Sequence, residues 1–125
     1  MYSKQGQLLR YSNSEIQKES DIENEVKKHL EVIVLSILRK QPMCGQDIVK
    51  EIFRQYHVFI SQRSVYTVLS SLKGNNVIES SATKGDMRSK VYFPTEKGSE
   101  IANAILEESV SSIEYMLIIL KENIK

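Results

Sequence analysis

Apolar residues follow a helical period in four stretches of the 125-residue chain and an extended one in two. The first helical stretch is the most apolar. Leu30, Val32, Ile33, Val34, Leu35, Ile37 and Leu38 cover nearly all sides of a helix, which predicts a centrally buried segment. Ser20-Asp21-Ile22-Glu23 has the form of a capping box and marks its predicted start; Pro42 marks its end. Ile48, Val49, Ile52, Phe53 and Tyr56 then make one stripe on a helix from about Gly45 to Tyr56. After the short apolar connection from His57 to Ile60, Ser61 caps a third helix. Its inward face is Val65, Val68, Leu69 and Leu72, and Gly74-Asn75-Asn76 terminates it. Val77 to Thr83 and Lys90 to Pro94 read as two strands, joined by the turn-rich, mostly basic Lys84-Gly85-Asp86-Met87-Arg88-Ser89. Thr95 caps a long last helix to about Asn123. Within it Leu106, Val110, Ile113, Leu117, Leu120 and Ile124 are spaced 4, 3, 4, 3 and 4, a heptad seam. Met1 to Glu19 is polar, has no sustained period and reads as a flexible arm.

Three helices, a two-stranded hairpin and a long helix make the order of a winged helix-turn-helix with an added C-terminal helix. The expected fold is mainly α with a small β-hairpin wing. The expected division is an arm over 1–20, a winged helix-turn-helix over 21–94 and a dimerisation helix over 95–125. A helix of about 29 residues spans roughly 43 Å, too long for so small a body to cover. Pairing of two seams in a homodimer is the expected solution.

The third helix carries the candidate chemistry. At 100° per residue, the face opposite Val65 and Leu69 holds Arg63, Thr67 and Ser70, flanked by Tyr66 and Ser71. No carboxylate lies between Ser61 and Lys73. A solvated helix face usually mixes Glu with Lys, whereas a face of Arg, Thr, Ser and Tyr donates to phosphates and base edges. The candidate DNA-binding residues are Ser61, Gln62, Arg63, Ser64, Tyr66, Thr67, Ser70 and Lys73 on this helix and Lys84, Arg88 and Lys90 on the wing. Tyr66 lies between the faces and reads equally well as a core-edge tyrosine.

The net charge of +1 hides a division along the chain. Residues 61–92 carry five basic side chains against two acidic, and residues 93–125 carry three basic against six acidic. A local basic patch binds polyanions while the whole chain stays near neutral. The single cysteine, Cys44, excludes an intrachain disulfide, and with only His29 and His57 beside it no Cys/His zinc cluster is expected. No glycine-rich phosphate loop and no Ser/His/Asp or paired-carboxylate pattern is present, so neither cofactor nor catalysis is expected. The run Val32–Leu35 is far too short to cross a bilayer, and Met1 to Arg10 lacks the apolar block of a secretory signal. A cytoplasmic, nucleoid-associated protein is expected.

The stretch from Leu30 to Gly98 resembles the PadR-type transcriptional regulators. The resemblance rests on Leu35-Ser36-Ile37-Leu38, on Pro42 to Ile48, on Ser61-Gln62-Arg63-Ser64-Val65-Tyr66-Thr67-Val68-Leu69, and on Val91 to Gly98. It implies a dimeric winged-helix DNA binder whose C-terminal helix mediates dimerisation, with Tyr66, Thr95 and Gly98 at family positions. The family's usual His-Gly-Tyr is here Cys44-Gly45-Gln46, and its Ser-Pro-Gly is Ser61-Gln62-Arg63. The expected partners are double-stranded DNA, a second copy and a small-molecule effector of unknown identity. The leading function is a sequence-specific transcriptional regulator, a repressor where its operator overlaps a promoter. The alternatives are a low-specificity architectural DNA-coating protein and a winged-helix protein-binding adaptor.

Overall fold

The computed structural model describes residues 14–83 and 86–125, with side chains from Asp21 to Ser81 and from Lys90 onward. Its elements are α1 (Ser14–Lys28), α2 (Leu30–Lys40), β1 (Met43–Cys44), α3 (Gly45–Tyr56), α4 (Gln62–Gly74), β2 (Ile78–Thr83), β3 (Asp86–Pro94) and α5 (Glu96–Ile124). The strands form one antiparallel sheet in the order β1-β3-β2. Mainly helical structure with a small wing is what the sequence predicts. Among the described residues no helix is long and apolar enough to cross a membrane, and no cluster of His, Cys, Asp and Glu could hold a metal ion.

The core is built around α2. Val34 and Leu35 are fully buried, and Ile33, Ile37 and Leu38 nearly so. Ile48 and Ile52 of α3 and Val65, Leu69 and Leu72 of α4 complete one cluster with Ile78, Tyr92 and Ala102. Each such side chain contributes about 1.5–3 kcal/mol by leaving water. The same burial fixes which faces of α3 and α4 remain outside.

The structure corrects three boundaries. The first helix is two: α1 begins at Ser14, so Ser20-Asp21-Ile22-Glu23 lies inside a helix and does not start one. The break falls at His29, after Lys27 and Lys28, cations that favour a helix C-terminus. The first residues of the expected arm lie outside the described residues. The wing is longer than expected, because β3 begins at Asp86 and incorporates most of the predicted loop; Thr83 pairs with Asp86. A third strand was not foreseen: Met43 pairs with Tyr92 and Cys44 with Val91. A two-residue bridge is too short to leave a period in the sequence.

Two junctions hold the wing and the last helix to the body. The backbone between α4 and β2 turns at Asn76, whose φ is 61°. Thr95 then caps α5: its Oγ1 accepts from the Gly98 amide at 2.7 Å and donates to the Asn76 carbonyl at 2.9 Å. Its own amide donates to the Val77 carbonyl at 3.0 Å. Gly98 has no alternative here, since any Cβ would overlap the Val77 carbonyl oxygen. Further along, Arg39 of α2 donates to Asn103 of α5 at 2.9 Å.

Candidate nucleic-acid interface

α4 presents the face that its periodicity predicts. Val65, Leu69 and Leu72 are buried, while Gln62, Arg63, Thr67, Ser70, Ser71 and Lys73 are exposed. The helix starts cleanly. Ser61 Oγ accepts from the Ser64 amide at 3.1 Å and donates to Ser64 Oγ at 2.9 Å. Ser61 therefore closes the helix end. Ile60 and Val65, on either side of the cap, are both buried, which fixes the angle at which the chain enters α4.

Other predicted site residues have structural contacts of their own. Thr67 Oγ1 donates to the Arg63 carbonyl at 2.9 Å, one turn back. Lys73 Nζ donates to Ser80 Oγ at 2.9 Å, tying the end of α4 to β2. Tyr66 is half-buried against the core. A Cβ on Gly45 would lie only 2.6 Å from Tyr66 Cζ, so the glycine at the start of α3 makes room for the ring. Burial holds the Tyr92 hydroxyl above the ordinary tyrosine range, and the nearby Tyr66 hydroxyl adds to that effect. Tyr66 thus packs where α3, α4 and β3 meet.

On the wing, Lys90 is exposed on β3. Arg88 lies on the same strand, and Lys84 falls outside the described residues. On α3, Arg54 and Gln55 donate to Glu51 at 2.8 and 2.7 Å. The Arg54 hydrogen bond leads in holding the Glu51 carboxyl at about 2. That cluster is a solvated surface feature of α3.

α5 leaves its seam open. Leu106 is half-buried, but Val110, Ile113, Leu117, Leu120 and Ile124 are 39–83% exposed. Tyr115, Met116, Ile118 and Ile119 are exposed as well, making Tyr115–Leu120 an apolar run that the seam positions alone had concealed. Beside Ile113 lies a groove of about 400 Å³ between α1, α2, the end of α3 and α5, lined by the apolar Ile22, Val26, Val32, Ile33 and Tyr56 together with Asp21, Glu25 and His29.

An acid-free exposed helix behind a tight turn, next to a three-stranded wing, defines a winged-helix DNA-binding protein with an appended apolar helix. Residues 34–104 match the model of the transcriptional regulator PadR-like family, and the chain belongs to that family. Among solved structures, a PadR family transcriptional regulator from Eggerthella lenta has a TM-score of 0.68 at 20% identity, over 88% of this chain and 96% of that one. A PadR-like transcriptional regulator from Bacillus cereus has a TM-score of 0.63 at 22% identity, over 78% and 95%. A transcriptional regulator from Clostridium thermocellum has a TM-score of 0.65 at 21% identity, over 74% and 91%. These likenesses are likenesses of fold. No curated protein matches the chain by sequence.

Proposed function

We propose that the chain is a homodimeric, sequence-specific DNA-binding regulator of transcription, and a repressor where its operator overlaps a promoter. α4 reads the major groove, and wing residues 83–91 touch the flanking groove or backbone. The observation that carries this reading is the exposed face of Arg63, Thr67 and Ser70 on a helix without a carboxylate. Arg63 stands two positions after the Ser61 cap, at the end of a recognition helix that reaches base edges. Its guanidinium matches the O6 and N7 acceptors of guanine. Such a protein works on the nucleoid, in the cytoplasm.

The open seam supports the dimer. Two copies pairing through Ile113, Leu117 and Leu120 would remove those side chains from water, and a twofold axis would set two α4 helices about 34 Å apart. The apolar positions off the seam need a second cover. The groove over Ile22, Val26 and Val32 offers one, with Asp21 and Glu25 in its lining to meet Lys121 and Lys125 of the partner's helix end.

Arg63→Ala tests the base-reading role. The expected loss is about 1–3 kcal/mol on the preferred duplex, with relaxed discrimination at one base pair per half-site and an intact fold. Equal loss on a scrambled duplex would make Arg63 a phosphate contact and favour the architectural reading. No loss on either would remove α4 from the groove.

A further inference from the structure

The hydrogen bond that Thr67 makes within its own helix decides what that residue offers to DNA. From sequence alone, Thr67 could serve a phosphate through its hydroxyl or a thymine through its methyl. The hydroxyl proton is already donated to the Arg63 carbonyl, at 2.9 Å. A phosphate accepts hydrogen bonds and donates none, so it has no proton to take from this side chain. The bond also fixes χ1, since it holds Oγ1 back over the preceding turn. What remains on an exposed residue is the γ-methyl group, beside an Oγ1 whose lone pairs can accept from a base amine but offer nothing to a phosphate. The neighbours sharpen the point. Ser61 Oγ is engaged in the helix cap, and between Gln62 at the start of the exposed face and Ser70 further along it, Arg63 presents a guanidinium and Thr67, one turn on, a methyl.

We infer that Thr67 is a specificity-determining residue that reads the C5-methyl group of a thymine, about two base pairs from the guanine read by Arg63. The spacing follows from the helix: four residues advance about 6 Å, close to two steps of about 3.4 Å along a DNA strand. Thymine is the base that carries an apolar group into the major groove, and a threonine methyl is among its recognised partners. The inference rests on α4 being the recognition helix of the function proposed above. It adds to that reading a feature of the half-site: a guanine and a thymine two positions apart.

The test uses the full chain and a duplex enriched by it from a random pool. Copies of that duplex carry deoxyuridine in place of thymine at one position in both half-sites, which removes the methyl group and nothing else. Binding is titrated for the wild type, Thr67→Ser and Thr67→Val. Thr67→Ser keeps the back-bond to Arg63 and loses the methyl; Thr67→Val keeps a methyl and loses the hydroxyl. One thymine should matter. Its replacement should weaken wild-type binding roughly fourfold per half-site, about 16-fold for the pair, the value of one methyl leaving water. Thr67→Ser should lose the same factor on the thymine duplex and nothing more on the deoxyuridine duplex, while Thr67→Val should retain the thymine preference. If Thr67→Ser binds as the wild type does, or Thr67→Val alone loses affinity, the hydroxyl makes the contact and the inference falls. If each variant and each duplex contribute separate, additive losses, Thr67 and the thymine do not touch and it falls too. If the pool yields no preferred duplex at all, the sequence-specific reading fails first and carries this one with it.

Discussion

The winged-helix body and the last turns of α5 are built from the same side chains, with opposite fates. In the body, Ile and Leu of α2, α3 and α4 are at most 7% exposed. In α5, from Val110 to Ile124, every large apolar side chain is at least 39% exposed. Neither composition nor helix propensity separates the two. The difference is geometric: α2 has α3, α4, α5 and the sheet around it, while α5 buries Ala102, packs Ile105 against the core and lies only partly covered beyond them. A domain folds on what its own elements can cover. Soluble proteins rarely leave so large an apolar patch bare, and this is what supports the proposed pairing with a second copy.

The contrast is broken most severely by charging the free half. Ile113→Lys with Leu117→Lys places cations in the seam, where desolvation is costly. The dimer should weaken by about 4 kcal/mol or more, a thousandfold in its dissociation constant. Sedimentation should report a monomer, circular dichroism should report a folded body, and DNA affinity should fall with the dimer. An unchanged oligomer would place the interface elsewhere.

A smaller effect is expected from a cavity in the other half. Leu35 is fully buried in α2. Leu35→Ala should cost about 2–5 kcal/mol of stability. The informative readout is the concentration dependence of Tm. In the Leu35→Ala protein the decrement should be nearly independent of protein concentration, whereas in seam variants, already monomeric, it should shrink on dilution as the wild type loses the stabilisation of its partner. Equal dilution behaviour would mean that body and seam unfold as one unit.

The mildest of these changes touches the wing. Lys84, Arg88 and Lys90 replaced by Gln should weaken binding to all duplexes alike and flatten the dependence of log affinity on log salt by about one unit per lost phosphate contact. Tm should stay within about 2 °C, because surface substitutions of this kind shift stability by less than about 0.5 kcal/mol. An unchanged slope would put the wing in solvent.

The two halves were also not equally legible in the sequence. The buried positions of α3 and α4, the Ser61 cap and the Thr95 cap follow from period and capping chemistry, although Phe53 of the predicted α3 stripe is exposed. What the rules missed depends on contacts between segments distant in sequence. β1 exists because Met43 and Cys44 meet Tyr92 and Val91 across the sheet. Gly45 looked like an ordinary helix start until Tyr66 lay against it, and the tie from Lys73 to Ser80 of β2 left no mark in the sequence. The break at His29 did leave a signal, the Lys27-Lys28 pair in the last turn of α1, which an unbroken helix from the capping-box pattern at Ser20 leaves out of account. For the candidate site, the face and its polarity were legible. The side chains already spent inside the protein were not, because a hydroxyl bonded to its own helix is indistinguishable in sequence from a free one.

The central claim is that two copies joined through α5 present two α4 helices to one stretch of DNA. Enrichment of bound sequences from a random duplex pool tests it most directly. The account predicts an inverted repeat whose half-sites lie about one helical turn, roughly 34 Å, apart, with a guanine in each half-site that loses its importance in Arg63→Ala. A single unrepeated half-site would contradict the paired arrangement, and a pool that emerges without any preferred sequence would contradict sequence-specific reading by α4.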